Sequence, residues 1–366
     1  MQRRRMEATN KRIFGYDFAR GLAIIGMVFV NFKMVIAVKS DAFLYNVIEI
    51  LSGKAAALFV ILAGVSISLM YQSAHRKNSA IKIRQVKKRL LKRALFLFVI
   101  GLSFYAIWPA DILHYYGLYL TIGVLFLSVA NRWLLITSGL IIIGYPLSMF
   151  FFNYETGWNW DTLEYIDFFT VNGFFRNLFF NGFHPVFPWI AFLLIGIWVG
   201  RINFNNITIR KKISRYSLIA FVLFKGLSLF IVGFLTQTSP NEAQEIAIIF
   251  GTMPMPSFFF YMVTASSLAI FIISMSIYIC TNLSHLLIVK QLISTGQLAL
   301  SNYIFHVLIG LFSLELFFGK LEQAYSIGFM FTYAVIYCVL LLVFSHLWRK
   351  KYTYGPLEYL MRKLIG

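Results

Sequence analysis

The sequence predicts an all-α, polytopic integral membrane protein with about ten transmembrane helices and cytoplasmic N- and C-termini. Hydrophobic residues make up 59% of the 366 residues, and charged residues only 13%. Apolar runs of about 20 residues, long enough to cross about 30 Å of hydrocarbon as helices, recur along the whole chain. The basic residues are concentrated in alternate connecting segments, which is typical of cytoplasmic loops.

The order of apolar runs and basic segments predicts both the spans and their orientation. The ten expected spans are 17–38, 54–72, 92–109, 113–130, 133–152, 184–201, 216–236, 256–280, 296–317 and 326–347. With the N-terminus inside, 27 of the 33 basic residues are cytoplasmic, but only Glu7, Asp17 and Glu358 of the 14 acidic ones. We therefore interpret the net charge of +19, and the basic loop at 75–93, as topology determinants beside anionic lipid. This distribution disfavours a nucleic-acid partner, and the expected location is a bacterial inner or plasma membrane.

The connecting segments predict one transmembrane domain over 1–366. A basic cytoplasmic leader covers 1–16 and a cytoplasmic tail 348–366. The first apolar run is too long and too polar for a cleavable signal, so we expect it to be retained. The outer segment 151–182 is aromatic and acidic, which is typical of a lid or an interfacial helix.

The first span, RIFGYDFARGLAIIGMVFVN, carries polar residues that lipid would disfavour. Arg20 and Asn31 are eleven residues apart, nearly three helical turns, so they share one face about 16 Å apart along the axis. Asp17 lies one turn before Arg20, where it either pairs with the arginine or caps the helix. The simpler interpretation is a capped helix with a snorkelling arginine, and the alternative is a polar track into the interior.

Two histidines at the predicted outer face suit general-base chemistry. Asp111 and His114 are one turn apart at the start of the fourth span, and His184 lies between Phe183 and Pro185 at the mouth of the sixth. A neighbouring carboxylate would orient the imidazole and stabilise its protonated form. Each histidine is otherwise explained as a packing element.

Three other polar groups lie within the spans or beside them. Asn302 and His306 are one turn apart in the ninth span, where the histidine is either a hydrogen-bonded packing element or, with the asparagine beside it, a substrate contact or proton carrier. Lys54 begins the second span, and Lys225 lies midway along the seventh, where it either faces a cavity or pairs with a carboxylate.

Two further observations concern helix packing and the class of reaction. Gly196 and Gly200 form a GxxxG pattern, which predicts a close helix contact. No metal-ligand cluster, P-loop, GxSxG or dinucleotide fingerprint is present, which disfavours soluble-type nucleotide hydrolysis and predicts no metal.

In this context the sequence resembles the YeiB-type membrane proteins and the related heparan-α-glucosaminide N-acetyltransferase, of the transmembrane acyltransferase superfamily. After the first span, the segments that carry the resemblance follow in order from residue 52 to residue 363: SGKAAALFVILAG, DILHYYGLYLTIG, HPVFPWIAFLLIGIWVGR, STGQLALSNYIFHVLIG and YGPLEYLMRKL. The resemblance covers residues 12–363 and favours the YeiB-type branch.

The resemblance implies a helical fold that takes acyl-CoA, usually acetyl-CoA, from the cytoplasm and acylates a sugar hydroxyl or amine on the far side. Arg20 matches the arginine of the first-helix motif, and Asn31 stands where the glucosaminide branch also has asparagine. The catalytic histidine of that branch follows the first span, but FKMVIAVKSDAFLYNVIEILSGK contains none. Either His114, His184 or His306 takes that role, or the chain is not an acetyltransferase.

The leading hypothesis is an acyl-CoA-dependent O- or N-acyltransferase that modifies an extracytoplasmic glycan or envelope acceptor. His184 is the first candidate base and His114, oriented by Asp111, the second, with Asn31 stabilising the oxyanion. The remaining assignments are donor-binding residues Arg20, Asp17 and Arg12, and acceptor-binding residues Asn302, His306, Lys54 and Lys225. Membrane lipids are expected partners, and a homodimer is compatible with the sequence. The alternative is a non-enzymatic small-molecule or lipid transporter, or flippase, with Lys225 and His306 along its path.

Overall fold

The computed structural model describes residues 12–38, 43–319 and 325–365 and is almost wholly helical there. The helices in these ranges are α1 (Phe14–Ile36), α2 (Phe43–Glu49), α3 (Lys54–His75), α4 (Ala80–Tyr105), α5 (Leu113–Phe126), α6 (Asn131–Ser148), α7 (Val171–Arg176), α8 (Val186–Val199), α9 (Ile207–Thr238), α10 (Ala243–Phe250), α11 (Phe259–Asn282), α12 (Leu287–Gln297), α13 (Ala299–Phe305), α14 (Phe312–Phe318), α15 (Ile327–Lys351) and α16 (Pro356–Ile365). Two π-helical stretches, Asn177–Asn181 and His306–Leu311, continue α7 and α13. A short 3₁₀ helix, Pro240–Glu242, precedes α10. Strands β1 (Trp158–Asn159) and β2 (Glu164–Tyr165) form an antiparallel hairpin.

The prediction of an all-α polytopic membrane protein is confirmed. Within the described residues, six helical segments are long and apolar enough to cross a bilayer, and a seventh is obtained if the bent pair Val171–Asn181 and Val186–Val199 is one span. The six are Phe14–Ile36, Phe43–His75, Ile207–Thr238, Phe259–Asn282, Ala299–Phe318 and Ile327–Lys351. Each of the ten predicted spans overlaps a helix. The number ten and the cytoplasmic termini stay predictions, and residues 1–11 of the leader lie outside the described ranges.

Several helices begin at residues whose side chains satisfy exposed backbone N–H groups. Ser79 accepts from the Lys82 amide before α4, Thr170 from the Gly173 amide before α7, and Ser326 from the Phe329 amide before α15. These bonds stabilise the first turns, where the helix cannot supply its own acceptors. The helix starts are therefore explained by local sequence.

The chain divides into two compact units. The first contains the described parts of Met1–Glu49, Phe204–Ser214 and Phe271–Glu358. The second contains Ile50–Asn203, Arg215–Ile270 and the described part of Tyr359–Gly366. Helices α9, α11 and α16 contribute residues to both.

In the first unit, α1 packs against α12 and α15. The crossing of α1 and α12 depends on glycine, because a Cβ at Gly296 would lie 2.8 Å from the backbone nitrogen of Gly21. The ninth predicted span, 296–317, is not one regular helix here: α13, the π-helical stretch and α14 follow one another. The wider π-helical turn changes which residues share a face along this segment.

In the second unit, α3 packs against α8, and α4 against α5. The predicted close contact at Gly196 is present: its Cβ would lie 3.0 Å from the Cα of Gly64 on α3. On α4, a Cβ at Gly101 would lie 2.8 Å from the carboxylate of Asp111. The absence of a side chain at Gly101 therefore lets the turn that carries Asp111 and His114 pack directly on α4.

Candidate functional site

The turn before α5 holds a buried carboxylate–imidazole pair. The Oδ2 atom of Asp111 lies 3.1 Å from Nδ1 of His114, and both side chains are completely buried. The same oxygen accepts hydrogen bonds from the backbone N–H groups of Leu113 (2.8 Å) and His114 (3.2 Å). Asp111 therefore caps the helix and orients the imidazole with one oxygen. With Nδ1–H donating to Asp111, the lone pair of His114 is on Nε2.

Tyr115 lies between this pair and the second predicted histidine. Its ring centroid is 3.9 Å from that of His114 and 6.1 Å from that of His184, and its hydroxyl donates to Oδ1 of Asn177 (2.5 Å). Within the described chain, three buried nitrogens around Tyr115 have no hydrogen-bond partner: Nε2 of His114, Nδ1 of His184 and Nδ2 of Asn177. Buried polar atoms are normally paired, and exceptions cluster at functional sites.

His184 is held by its backbone and by an indole ring. Its carbonyl oxygen accepts a hydrogen bond from the Tyr119 hydroxyl (2.5 Å), and its ring packs edge-to-face on Trp189 at 4.6 Å. The indole N–H of Trp189 donates to Ser257 (2.9 Å). These contacts fix the ring but do not include a carboxylate partner in the described residues, in contrast to His114.

The segment 151–182, predicted to lie outside, is folded around Asn181, a completely buried residue. Its side-chain amide donates to the carbonyl oxygens of Tyr154 (2.7 Å) and Thr156 (2.8 Å), and its backbone carbonyl accepts from Trp158 (2.7 Å). The Tyr165 hydroxyl donates to Oδ1 of Asn181 (2.6 Å). Burial raises the pKa of Tyr165, so its hydroxyl stays protonated and able to donate near neutral pH. The lid assignment stays a prediction, but the segment is a hairpin followed by short helices.

Aromatic packing joins this segment to α4 and α5. Phe168 stacks on Tyr105 of α4 at 3.6 Å, and Tyr105 packs edge-to-face on His114 at 5.8 Å. A cavity of about 930 Å³ lies in the same unit. Its lining includes Tyr154, Trp160, Glu155, Gln244 and Glu245. Tyr154, Glu155 and Trp160 belong to segment 151–182, so the cavity borders the segment whose Phe168 packs near His114.

In the first unit, Asp17 is the centre of an ionic cluster. It pairs with Arg12 (2.7 Å) and with Arg20 (2.6 Å), which answers the choice between pairing and capping in favour of pairing. Gln297 contacts the same carboxylate at 3.4 Å and accepts a hydrogen bond from Arg349 (2.8 Å). Two guanidinium groups thus pair with one carboxylate and a third reaches it through Gln297, so the positive charges outnumber the negative one.

Deeper in the same unit, the structure brings Asn31 and His306 together. Nδ2 of Asn31 lies 2.8 Å from Nε2 of His306, whose Nδ1 is bonded to the Tyr303 carbonyl. His306 is also the first residue of the π-helical stretch, a feature frequent at functional sites. Asn302, one turn earlier, instead donates to Ser345 (3.0 Å) and to the Thr295 carbonyl (3.1 Å). Asn302 and His306, which the sequence places one turn apart, therefore make different contacts.

Sequence reasoning did not identify the hydrogen-bond partners of Lys54 and Lys225 in the second unit. Lys54 and Lys225 both donate to Thr252, to its carbonyl oxygen and its hydroxyl respectively. It also missed Tyr115, Asn177 and Asn181. Aromatic and amide residues are frequent throughout this sequence, so no local signal separated these from their neighbours.

Glu358 explains part of the terminal YGPLEYL motif. Its carboxylate accepts from the backbone amides of Leu300 (2.8 Å) and Ser301 (3.2 Å) and from the Ser301 hydroxyl (2.5 Å), at the start of α13. These donors are buried. We therefore expect Glu358→Ala to destabilise the fold by about 1–3 kcal/mol, because it leaves them unpaired. The measurement is the melting temperature of the detergent-purified protein. Glu315→Ala, at an exposed position, is the control; equal melting temperatures for the two variants would contradict the capping role.

The geometry described so far defines a class of protein: a polytopic helical membrane protein with a buried Asp–His pair. Comparison with known families agrees. The family "Heparan-alpha-glucosaminide N-acetyltransferase, catalytic" matches residues 12–238, more than half of the chain. "Protein of unknown function (DUF418)", the YeiB-like family, matches residues 201–366. The chain belongs to the heparan-α-glucosaminide N-acetyltransferase catalytic family.

One relative aligns with this chain over nearly the whole length of both proteins. The uncharacterized protein YxaH of Bacillus subtilis (strain 168) is 24% identical over 416 aligned residues, covering 97% of this chain and 94% of YxaH. In the described ranges, no group of three or more His, Cys, Asp or Glu side chains is arranged as metal ligands would be.

Proposed function

We propose that this protein transfers an acyl group, in the simplest case acetyl, from cytoplasmic acyl-CoA to a hydroxyl or amine of an extracytoplasmic glycan or other envelope acceptor. The observation that carries the proposal is the buried Asp111–His114 pair, with Nε2 of His114 unpaired in the described chain. Membership of an acetyltransferase-type family supports the reaction class.

The proposed step is general-base catalysis. Nε2 of His114 takes the proton of the acceptor hydroxyl or amine as its oxygen or nitrogen attacks the thioester carbonyl carbon. The tetrahedral intermediate then collapses, the carbon–sulfur bond breaks, and the thiolate leaves and takes up the proton as CoA. Asp111 holds Nδ1–H and stabilises the imidazolium formed in between. A relay through an acyl-histidine gives the same products.

Asn31 is the proposed oxyanion donor. Its amide nitrogen carries two N–H bonds, and one of them is directed at Nε2 of His306. His306 positions the amide in this proposal. Asn302, bonded to Ser345, supports the same helical segment and is proposed to contact the acceptor only indirectly.

The acyl-CoA donor would be held by the cluster around Asp17. The residues fit its phosphates, because Arg12, Arg20 and Arg349 outnumber the single carboxylate, and guanidinium groups bind phosphate oxygens in pairs. Asp17 orients the arginines. For the acceptor, the 930 Å³ cavity offers aromatic rings and carboxylate and amide groups, which suit a polar, ring-shaped molecule.

The proposal is tested by adding acetyl-CoA to the detergent-purified protein and measuring its melting temperature, then following labelled acetyl transfer to envelope extracts. Binding to the folded state is expected to raise the melting temperature, by mass action. Acetyl-CoA should stabilise at least as well as CoA. Two results together would favour the transporter alternative. The melting temperature would not rise with any acyl-CoA, and proteoliposomes containing the protein would take up a solute without acyl-CoA.

His184 has a separate expected effect. If His184, the first candidate base of the sequence, acts in place of His114, His184→Ala should lower acetyl transfer by at least about 10²-fold, the contribution of a positioned base, while leaving stabilisation by acetyl-CoA intact. The measurement pairs single-turnover transfer with the melting temperature. Unchanged turnover would remove His184 from the mechanism and leave it a packing residue on Trp189.

A further inference from the structure

Lys54 and Lys225 converge on a single threonine in the second unit. Nζ of Lys54 lies 3.5 Å from the Thr252 carbonyl oxygen, and Nζ of Lys225 lies 2.6 Å from its hydroxyl oxygen. Lys54 is the first residue of α3 and is 8% exposed. Lys225 lies on α9, 18 residues after its first residue, or about 27 Å along the helix.

Neither ammonium group forms an ion pair within the described part of the chain. Among the described residues, no carboxylate lies within 4 Å of either nitrogen, whereas Lys33 in the first unit pairs with Glu49. A threonine supplies dipoles but no negative charge. Cationic side chains within spans are expensive and are normally paired, so two that share one neutral residue indicate a site for an external anion.

The backbone on both sides of the Lys54–Thr252 contact is non-helical. Thr252 lies between α10 and α11, and Lys54 follows the turn 50–53, where Gly53 has a φ of 70°. The Tyr261 hydroxyl joins these segments by donating to the Gly53 carbonyl (3.0 Å). Non-helical backbone within a membrane protein is tolerated where it is buried in protein or lines a polar cavity. The positive end of the α3 dipole adds to the potential of Lys54.

The surroundings of Lys225 indicate how the anion arrives. On the same face of α9, one turn to either side, Val222 and Leu229 are each 60% exposed. Such residues contact acyl chains in a membrane-spanning helix. We propose that Lys54 and Lys225 bind the phosphate group of a membrane amphiphile, whose apolar chains lie along this face of α9. Lysine is a common phosphate ligand, and basic pockets between membrane helices bind lipid head groups.

The test is native mass spectrometry of the full chain in detergent, titrated with dioleoylphosphatidic acid or with dioleoylglycerol, which has the same chains without the phosphate. We expect the phosphate-bearing lipid to bind at least about tenfold more tightly, the ratio produced by one charge-assisted contact. Equal binding of the two lipids would overturn the proposal without any variant. If the phosphate group that binds belongs to a lipid, inorganic phosphate should displace dioleoylphosphatidic acid only weakly. If inorganic phosphate binds as tightly as the lipid, the site is assigned to a soluble anion instead.

The variants assign the binding to these two residues. Lys54→Gln and Lys225→Gln should each remove most of the preference for phosphatidic acid, while Lys225→Arg should retain it. Lys211→Gln, at an exposed lysine on α9, is the matched control and should bind as the native chain does. A preference retained in both glutamine variants would overturn the assignment. The readout is binding, so it stands or fails separately from acyl transfer.

Discussion

His114→Ala is expected to lower acyl transfer from labelled acetyl-CoA by about 10²–10⁴-fold, the usual contribution of a positioned general base. Alanine removes Nε2, the nitrogen that the structure leaves without a partner in the described chain, and also the group that Asp111 orients. The binding of acetyl-CoA, measured by the melting temperature, should be preserved, because the arginines around Asp17 are unchanged.

Two further variants separate catalysis from folding. Asp111→Asn keeps an oxygen for the amides of Leu113 and His114, so α5 remains capped, but it removes the negative charge beside the imidazole. A fall in the rate with an unchanged melting temperature would assign Asp111 a positioning role in catalysis. His285→Ala, at an exposed histidine, should turn over at the native rate. If His114→Ala folds and turns over like His285→Ala, His114 is not the base.

Gly196→Leu is expected to cause the largest loss of stability, because no space exists between α8 and α3 at this point. The new Cβ alone would lie 3.0 Å from the Cα of Gly64, and closer still to the carbonyl oxygen of Ile61. Both atoms belong to backbone and cannot rotate away, so the helices must separate. Overpacking a tight core costs about 1–3 kcal/mol, and more where backbone must move.

The control is a glycine that touches nothing among the described residues. A Cβ added at Gly226 on α9 would have no such atom within 4 Å, so Gly226→Leu should leave the melting temperature unchanged or raise it slightly, since leucine favours helix. Thermal unfolding of both variants in the same detergent measures the difference. Equal melting temperatures would show that α3 and α8 separate at little cost.

Features that depend on a few consecutive residues were predictable. The helix propensity of long apolar runs and the GxxxG contact follow from helical periodicity, because residues three and four apart share a face whatever surrounds them. The Asp111–His114 pair is also local, because Asp111 caps the first turn of α5, which carries His114. The Asp17–Arg20 pair belongs to the same class. Even the ninth span was predicted as helix, although its π-helical turn, with an extra residue, was not.

Features that join distant segments were not predictable. Asn31 and His306 are 275 residues apart, and each was assigned a separate role until the packing of the first unit brought their side chains within 2.8 Å. Thr252, in a connecting segment with no distinctive pattern, accepts hydrogen bonds from both Lys54 and Lys225.

The sequence by itself determined that this is a helical membrane protein of the acetyltransferase-type family, and where its single-turn pairs of polar residues lie. Hydrophobicity and helical periodicity are local properties, so one segment carries them without reference to any other. Only the tertiary structure decided that His184 packs on Trp189 with no carboxylate partner among the described residues, and that Asn31 is bonded to His306. Those relations depend on how close glycine contacts let the helices approach, and a linear pattern does not encode that distance.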